Sequence, residues 1–261
     1  MFVRNEVTTG LWTQTRGRGI RVVFLHGFTQ TARSWDPVLE ALESSIHSSF
    51  EAVLPDLPGH GRSHSTATGL EQTAELLAKS CGTAIYVGYS MGGRLALHVA
   101  LAHPEVVRGL LLFGATPGLK TERERTQRSA DDELLAQDLE SVGVPAFLEK
   151  WLRNPLFATL PDNPQDLQLR RENTVAGLAS SLRLAGTGSQ SPLWESLNTI
   201  STPTIVAAGD RDHKFTAIAQ TTAQAIGTNA SMCSITNAGH PCHLEQPHQA
   251  AELLHKLAVQ L

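Results

Sequence analysis

The sequence predicts an α/β fold with a mostly parallel, doubly wound sheet and an inserted helical cap. Short apolar runs typical of buried strands alternate with segments of helical periodicity, first in residues 1–116 and again in residues 195–261. Residues 117–194 contain charged segments of helical periodicity instead. A chain of 261 residues has the length of one large domain with a modest insertion. We therefore expect a core of residues 1–116 and 195–261 and a cap of residues 117–194.

Apolar runs between helical segments predict the strands. They are short and rich in Val, Ile, Leu or Phe, which is typical of strands covered on both faces. The runs are RVVFLH at Arg21–His26, AVLPD near Val53, AIYVG at Ala84–Gly88, GLLLFG at Gly109–Gly114, PTIVAAGD from Pro203 and SMCSIT from Ser231. Because helical segments separate most of them, the strands are expected to run parallel.

Start signals and periodicity predict the helices. SWDPVLEALESS predicts a helix that Ser34 caps and that has Pro37 in its first turn. In the cap, the same periodicity appears in KTERERTQRSADDELLAQDLESVG and in QDLQLRRENTVAGLASSLRLAGTG. The chain ends in the amphipathic PHQAAELLHKLAVQL.

Composition and charge exclude several classes of function. A net charge of −4 without any basic run argues against nucleic acid as a partner. The first residues lack the pattern of a signal peptide and no stretch is long enough to cross a bilayer, so we expect a cytoplasmic protein without membrane insertion. Cys81, Cys233 and Cys242 lack metal-ligand spacing and are expected to be reduced and structural, with no metal. A monomer or a weak homo-oligomer is expected.

The sequence GYSMG fits the G-x-S-x-G nucleophile elbow, in which a sharp turn between a strand and a helix exposes the serine hydroxyl. Ser90 is the candidate nucleophile, and the Met91 amide at the helix start can stabilise an oxyanion. The HGF sequence after the first strong strand predicts the amide of Phe28 as the second oxyanion donor. Phe28 could instead only turn the chain and pack the core.

A serine hydroxyl needs a base, and the base needs an orienting carboxylate. AAGDRDHKF offers Asp210 and Asp212, and we select Asp212 because it lies in the loop beyond the strand, whereas Asp210 suits a turn. NAGHPCHLEQP offers His240 and His243, and we select His240 because it directly follows the flexible AG. For His243, two placements remain open: in the wall of the pocket or outside it.

Two further histidines adjoin glycine turns. His26 in LHGF and His60 in LPGHGRS suit residues that fasten loops through hydrogen bonds better than catalysts.

These motifs together resemble the α/β-hydrolase family, with HGF, DLPGHGRS, GYSMGG, GDRD and AGH in the expected order over nearly the whole chain. The cap motifs ERERTQR, FLEKWLRNPLF and LRLAGTGSQSPLW, with DHKF, resemble the menaquinone-pathway branch of that family. The resemblance implies a lyase that eliminates pyruvate from a cyclohexene carboxylate on the route to menaquinone or phylloquinone. It also implies that no metal or organic cofactor takes part.

A substrate with several carboxylates needs cations, and an arginine fork binds a carboxylate in a bidentate way. Arg94 lies four residues after Ser90 on the predicted helix, and therefore beside the nucleophile, unless it pairs with a structural acid. The resemblance adds further substrate contacts: Arg128, Arg170 and Lys214 as cations, with Tyr89, Trp151 and Phe157 around the ring. Trp151 could equally be cap core.

Two other functions remain open at this point. A carboxylesterase or thioesterase of the same fold would use Ser90 as a true nucleophile, and the motifs alone do not separate it from the lyase. A ligand receptor without catalysis would have no need to keep Ser90, Asp212 and His240 together.

Overall fold

The computed structural model describes residues 3–8, 10–44 and 49–261. Eight strands form one sheet in the order β1-β2-β4-β3-β5-β6-β7-β8. The strands are β1 Val3–Thr8, β2 Leu11–Gly17, β3 Ile20–Leu25, β4 Phe50–Pro55, β5 Ala84–Tyr89, β6 Val107–Phe113, β7 Thr204–Gly209 and β8 Ala230–Ile235. β3 to β8 pair in parallel, while β2 pairs antiparallel with both β1 and β4. The predicted mostly parallel α/β fold is confirmed.

The two antiparallel strands were not predicted. β1 is exposed at its described positions 3–7, and the buried residues of β2 beyond Leu11 and Trp12 are the polar Thr13 and Thr15. Neither strand therefore has the apolar run that marks β3 to β7. The six predicted strands are all present, shifted by one or two residues at their ends.

Helices cover both faces of the sheet. They are α1 Asp36–Glu43, α2 Leu70–Cys81, α3 Met91–Ala102, α4 Glu122–Leu152, α5 Pro164–Arg170, α6 Val175–Ala185, α7 His213–Ile226, α8 Cys242–Glu245 and α9 Pro247–Ala258. One apolar core lies between the sheet and α2, α3 and α7, and a second lies between the sheet and α1 and α9. The loops at the carboxyl ends of the parallel strands thus leave a sheet that is packed against helices on both faces.

Three helices, α4 to α6, lie in residues 117–194, which we call the cap segment. They share a third apolar core, which includes Leu139, Phe147 and Leu178. α4 is kinked where Gly143 adopts a φ of 77°, two residues before Pro145, because proline cannot continue a regular helix and glycine tolerates the bend. The division into core and cap at 116/117 and 194/195 stays a prediction.

The start of α1 differs from the prediction. Ser34 does not cap it, because a 3₁₀ turn over Ala32–Trp35 precedes the helix and Trp35 takes the cap position. The Ser34 hydroxyl instead accepts a hydrogen bond from the Thr31 amide at 3.3 Å, within that turn. Pro37 lies in the first turn of α1 as expected.

Within residues 3–8, 10–44 and 49–261, no helix is long and apolar enough to cross a membrane. Cys81, Cys233 and Cys242 are free thiols.

His26 and His60 are completely buried and fasten the loops after β3 and β4 to each other. His26 Nε2 accepts from the Leu57 amide at 3.0 Å, and His60 Nε2 accepts from the Thr29 amide at 3.3 Å. Each Nδ1 faces a carbonyl oxygen, that of Gly27 or of Pro58. Both rings are therefore neutral donors and acceptors, as the sequence indicated for loop-fastening residues.

This burial predicts a loss of stability in mild acid. Burial lowers the pKa of His60 from 6.5 to about 4, against its hydrogen bond with Pro58. The unfolded chain takes up the proton first as the pH falls, so the stability contributed by neutral His60 is present above about pH 6.5 and is lost towards pH 4. His60→Gln is expected to remove about 2 kcal/mol of the decrease in unfolding free energy between pH 7 and pH 5, measured by urea titration.

The control for this prediction is His248→Gln, since His248 is exposed. The two variants should differ in how strongly their stability depends on pH, whatever their stability at pH 7. An equal pH dependence in both would contradict the assignment.

Candidate active site

Ser90 lies at the turn between β5 and α3 in a strained conformation. Its φ of 50° lies in the left-handed region, and its amide donates to the Phe113 carbonyl at 2.9 Å. A Cβ at Gly88 would collide with the Gly92 carbonyl, and one at Gly92 would collide with the Leu25 carbonyl. Because only glycine fits these two positions, the G-x-S-x-G pattern follows from the crowding of the turn.

Ser90, His240 and Asp212 lie in a hydrogen-bonded row. His240 Nε2 is 3.3 Å from Ser90 Oγ, and His240 Nδ1 is 2.9 Å from Asp212 Oδ2. His240 comes from the loop after β8 and is 3% exposed. The row has the geometry in which a base takes a proton from a hydroxyl while a carboxylate orients the base.

Asp212 is fixed by the helix that it begins. Its Oδ1 accepts from the Phe215 amide at 3.1 Å, as the N-cap of α7. Burial raises the pKa of Asp212, but the hydrogen bonds from His240 and Phe215 and the charge of Lys214 outweigh it, so the net pKa lies below its usual value. The carboxylate therefore stays charged opposite His240.

Asp210 occupies a turn, as the sequence indicated. Its two carboxylate oxygens accept from the amides of Asn237 and Ala238 at 3.1 and 3.2 Å. It therefore holds the loop that carries His240 and does not contact the ring.

Phe28 and Met91 both line the cavity in front of Ser90. Neither backbone amide donates a hydrogen bond to any atom that the structure describes. Two amides without a hydrogen-bond partner, from two residues that line one cavity, are the kind of donor that an oxyanion needs.

The cavity has a volume of about 150 Å³ and lies between the sheet and the cap segment. It brings together every residue that the sequence analysis proposed as a substrate contact: Tyr89, Arg94, Arg128, Trp151, Phe157, Arg170 and Lys214. Ser90 and His240 also line it, while Asp212 lies behind His240.

Arg94 is 6% exposed and has no carboxylate within ion-pair distance among the described residues. Its guanidinium donates to the carbonyls of Ala185 and Gly186 at 2.7 and 3.3 Å and to Gln190 Oε1 at 3.4 Å. Burial and Arg128 lower the pKa of Arg94 to about 10, against the effect of Asp132. Arg94 therefore remains charged at neutral pH and is not the partner of a structural acid.

Asp132 is a cavity residue that the sequence analysis missed. It is 2% exposed, its Oδ1 accepts from Arg128 Nε at 2.8 Å, and its Oδ2 has no partner among the described residues. The only signal in the sequence was the i, i+4 spacing from Arg128, which is also the spacing of ordinary ion pairs on helix surfaces. Asp132 orients Arg128 and moderates the positive field around Arg94.

Arg170 is buried, whereas its neighbour Arg171 is exposed. Arg170 Nε donates to Asp166 at 2.6 Å, and Nη1 donates to Thr29 Oγ1 at 2.6 Å. Of these two arginines, Arg170 lines the cavity, and it is the one that the sequence analysis selected. Lys214 is exposed at the first turn of α7 and brings a fourth cation to the rim.

Aromatic rings form one wall of the cavity. The Trp151 ring lies 5.3 Å from that of Phe28, 5.6 Å from Phe157 and 6.0 Å from Phe147, so Trp151 both lines the cavity and packs in the cap core. His243 does not line the cavity. It is completely buried beneath Tyr89, with ring centroids 4.2 Å apart.

No group of three or more His, Cys, Asp or Glu side chains placed to hold a metal ion occurs in the part of the chain that the structure describes.

Known proteins resemble this chain in sequence and in overall structure. The model of the alpha/beta hydrolase family matches residues 22–253. A Bacillus subtilis protein provisionally named 2-succinyl-6-hydroxy-2,4-cyclohexadiene-1-carboxylate synthase is 36% identical over 235 residues, which is 87% of this chain and 85% of that protein. The synthase of that name from Salmonella heidelberg is 34% identical over 236 residues, 87% of this chain and 88% of that protein.

Among solved structures, MenH from S. aureus superposes with a TM-score of 0.86 at 28% identity, over 94% of this chain and 98% of that chain. The chain therefore belongs to the alpha/beta hydrolase family, in the branch of the 2-succinyl-6-hydroxy-2,4-cyclohexadiene-1-carboxylate synthases.

Proposed function

We propose that the chain eliminates pyruvate from 2-succinyl-5-enolpyruvyl-6-hydroxy-3-cyclohexene-1-carboxylate to give 2-succinyl-6-hydroxy-2,4-cyclohexadiene-1-carboxylate, in menaquinone or phylloquinone synthesis. One observation carries the proposal: a single cavity joins the Ser90–His240 pair to the cations Arg94, Arg128 and Arg170. The similarity to the synthases over most of the chain supports the same reaction.

The charges of the cavity suit this substrate. Its succinyl, enolpyruvyl and ring groups each carry a carboxylate, and a guanidinium binds a carboxylate through two parallel hydrogen bonds. Arg94 has no carboxylate partner among the described residues, so its charge is available to an anion in the cavity. A neutral ester would leave such a buried charge uncompensated.

In the proposed mechanism, Ser90, His240 and Asp212 act as the catalytic triad of proton transfer. His240 takes the Ser90 proton, while Asp212 stabilises the charged ring. The Ser90 oxygen then removes a ring proton, the electrons form a new ring double bond, and the C–O bond to the enolpyruvyl group breaks. The leaving enolate receives a proton and becomes pyruvate. No water is consumed and no acyl-enzyme forms.

The amides of Phe28 and Met91 hold the negative charge that develops on oxygen in this step. Each donor of this kind typically lowers the barrier by about 3 kcal/mol, because it is already oriented before the reaction. Neither amide has a hydrogen-bond partner among the described residues, so neither need break another hydrogen bond first.

The test is pyruvate release from freshly generated substrate, with simple aryl esters as a parallel substrate. We expect pyruvate release well above the spontaneous rate, together with feeble ester cleavage. Mass spectrometry of the enzyme quenched during turnover should show no adduct on Ser90. Release at the spontaneous rate with brisk ester turnover would instead indicate a carboxylesterase or thioesterase, and a covalent Ser90 intermediate with the natural substrate would contradict the mechanism.

A further inference from the structure

Thr29 follows Phe28 in a tight turn and has an unusual backbone. The Gln30 amide donates to the Gly27 carbonyl at 3.2 Å, so Phe28 and Thr29 are the two central residues of the turn. Thr29 has a φ of 68°, in the left-handed region that suits glycine and is disfavoured for a β-branched residue. Its side chain is completely buried. Something other than backbone preference must therefore account for a threonine at this position.

Three hydrogen bonds hold Thr29 in this conformation. Its amide donates to His60 Nε2 at 3.3 Å, its hydroxyl accepts from Arg170 Nη1 at 2.6 Å, and its carbonyl accepts from Asn173 Nδ2 at 2.8 Å. Arg170 and Asn173 both belong to the cap segment. A glycine would fit the backbone but could not accept the hydrogen bond from Arg170.

Asn173 strengthens the same junction. It is 5% exposed, its Oδ1 accepts from the Gly61 amide at 2.8 Å, and its Nδ2 also donates to the Arg170 carbonyl at 2.9 Å. The cap segment thus contacts Thr29 through two of its side chains: Arg170 binds the Thr29 hydroxyl and Asn173 binds the Thr29 carbonyl. Two hydrogen bonds therefore link the turn to the cap segment.

The hydrogen bond between Arg170 and the Thr29 hydroxyl also orients the guanidinium of Arg170. Nε of Arg170 is held by Asp166 and Nη1 by Thr29, which leaves Nη2 as the edge of the guanidinium free of these two partners. A fork fixed on two sides presents its remaining N–H groups in one direction, which favours a carboxylate at one place.

We infer that Thr29 is a positioning residue. Its hydroxyl accepts a hydrogen bond from Arg170 of the cap segment, and this bond fixes the turn that carries the Phe28 amide. The inference rests on the proposed roles of Phe28 and Arg170. One hydrogen bond then sets both the place of an oxyanion donor and the place of a substrate carboxylate. The strain at Thr29 persists because the bond to Arg170 needs a hydroxyl there.

Three substitutions separate the hydroxyl from the backbone. Thr29→Ser keeps the hydroxyl, Thr29→Val replaces it with a methyl group of similar size, and Thr29→Gly removes it while relieving the strain. We expect pyruvate release by Thr29→Ser to stay within about twofold of the wild type. Thr29→Val should lower kcat by roughly tenfold or more and raise KM severalfold, because both the amide and Arg170 lose their fixed positions.

Thr29→Gly distinguishes positioning from a merely structural role. We expect its thermal midpoint to equal or exceed that of Thr29→Val, while its kcat stays as low. A structural role would make activity follow stability. The variant also keeps the test valid if Thr29→Val fails to fold, since glycine suits the backbone of the turn.

A double-mutant cycle of Thr29→Val with Arg170→Met provides a second measurement. The combined loss in kcat/KM should be clearly smaller than the product of the single losses, because both substitutions break the same bond. Additive effects, or equal kinetics of Thr29→Val and Thr29→Ser, would overturn the inference.

The aryl ester separates failure of this inference from failure of the proposed function. Its tetrahedral oxyanion needs the same Phe28 amide, so Thr29→Val should also lower kcat for the ester. If the wild type cleaves the ester but releases no pyruvate, the proposed function fails while the ester still tests Thr29. If pyruvate release is fast and unchanged in Thr29→Val and Thr29→Gly, only the inference on Thr29 fails.

Discussion

Replacing Ser90 with alanine is expected to lower kcat/KM for pyruvate release by roughly 10³-fold, with little change in KM. In the proposed mechanism the hydroxyl removes the ring proton, and a positioned acid or base typically contributes about 10²- to 10⁴-fold. Arg94, Arg128 and Arg170 are unaffected, so the substrate should still bind. The measurement is steady-state release of pyruvate, with substrate affinity measured separately by calorimetry on the inactive variant.

The matched control is Ser189→Ala, because Ser189 is an exposed serine of the cap segment whose hydroxyl donates to the Arg183 carbonyl. It should behave as the wild type. A Ser90→Ala enzyme that keeps more than about a tenth of the wild-type rate would show that another group takes the ring proton, since loss of a general base usually costs far more.

Replacing Arg94 with methionine is expected to raise KM for the trianionic substrate by roughly 30- to 100-fold. Hydrogen bonds to a charged partner contribute about 1.5–3 kcal/mol, and the buried site lacks water to replace them. Methionine fills much of the same volume, so the loss should reflect charge and hydrogen bonding rather than a cavity. KM for a neutral aryl ester should change little. Arg94→Lys should be intermediate, because it keeps the charge without the fork.

Arg94 also fastens the segment after α6 to α3, so its removal should lower the thermal midpoint as well. Gln190→Ala provides the control, because it removes one partner of Arg94 and leaves the charge in place. We expect some loss of stability in Gln190→Ala without the large rise in KM. If the two variants raise KM equally, the effect of Arg94 is structural.

Local crowding made the elbow predictable from the sequence. Gly88, Ser90 and Gly92 form a pattern within five residues, and the strand and helix on either side have clear periodicity. The same holds for β3 to β7, which are covered on both faces and are therefore mostly apolar. The positions of Asp212 and His240 followed from the ends of β7 and β8, since loops at the carboxyl ends of parallel strands meet.

The residues that were missed depend on contacts between distant parts of the chain. Asp132 becomes a cavity residue only because the fold brings α4 to the same cavity as Arg94 of α3, and its spacing from Arg128 is shared by many surface pairs. Thr29 and Asn173 lie 144 residues apart, and neither belongs to a catalytic motif. His243 looked like His240 in sequence, but α8 turns it under Tyr89.

The four cations of the cavity come from both sides of the molecule. Arg94 and Lys214 lie on helices that pack against the sheet, while Arg128 and Arg170 lie on helices of the cap segment. In the proposed reaction, one trianionic substrate contacts cations of both sides before its C–O bond breaks. Cleavage of the C–O bond divides this trianion into two smaller anions, and each of them carries fewer carboxylates than the substrate. The chemical step therefore weakens the ionic link between cap and sheet, and product dissociation breaks fewer contacts per molecule than substrate dissociation does.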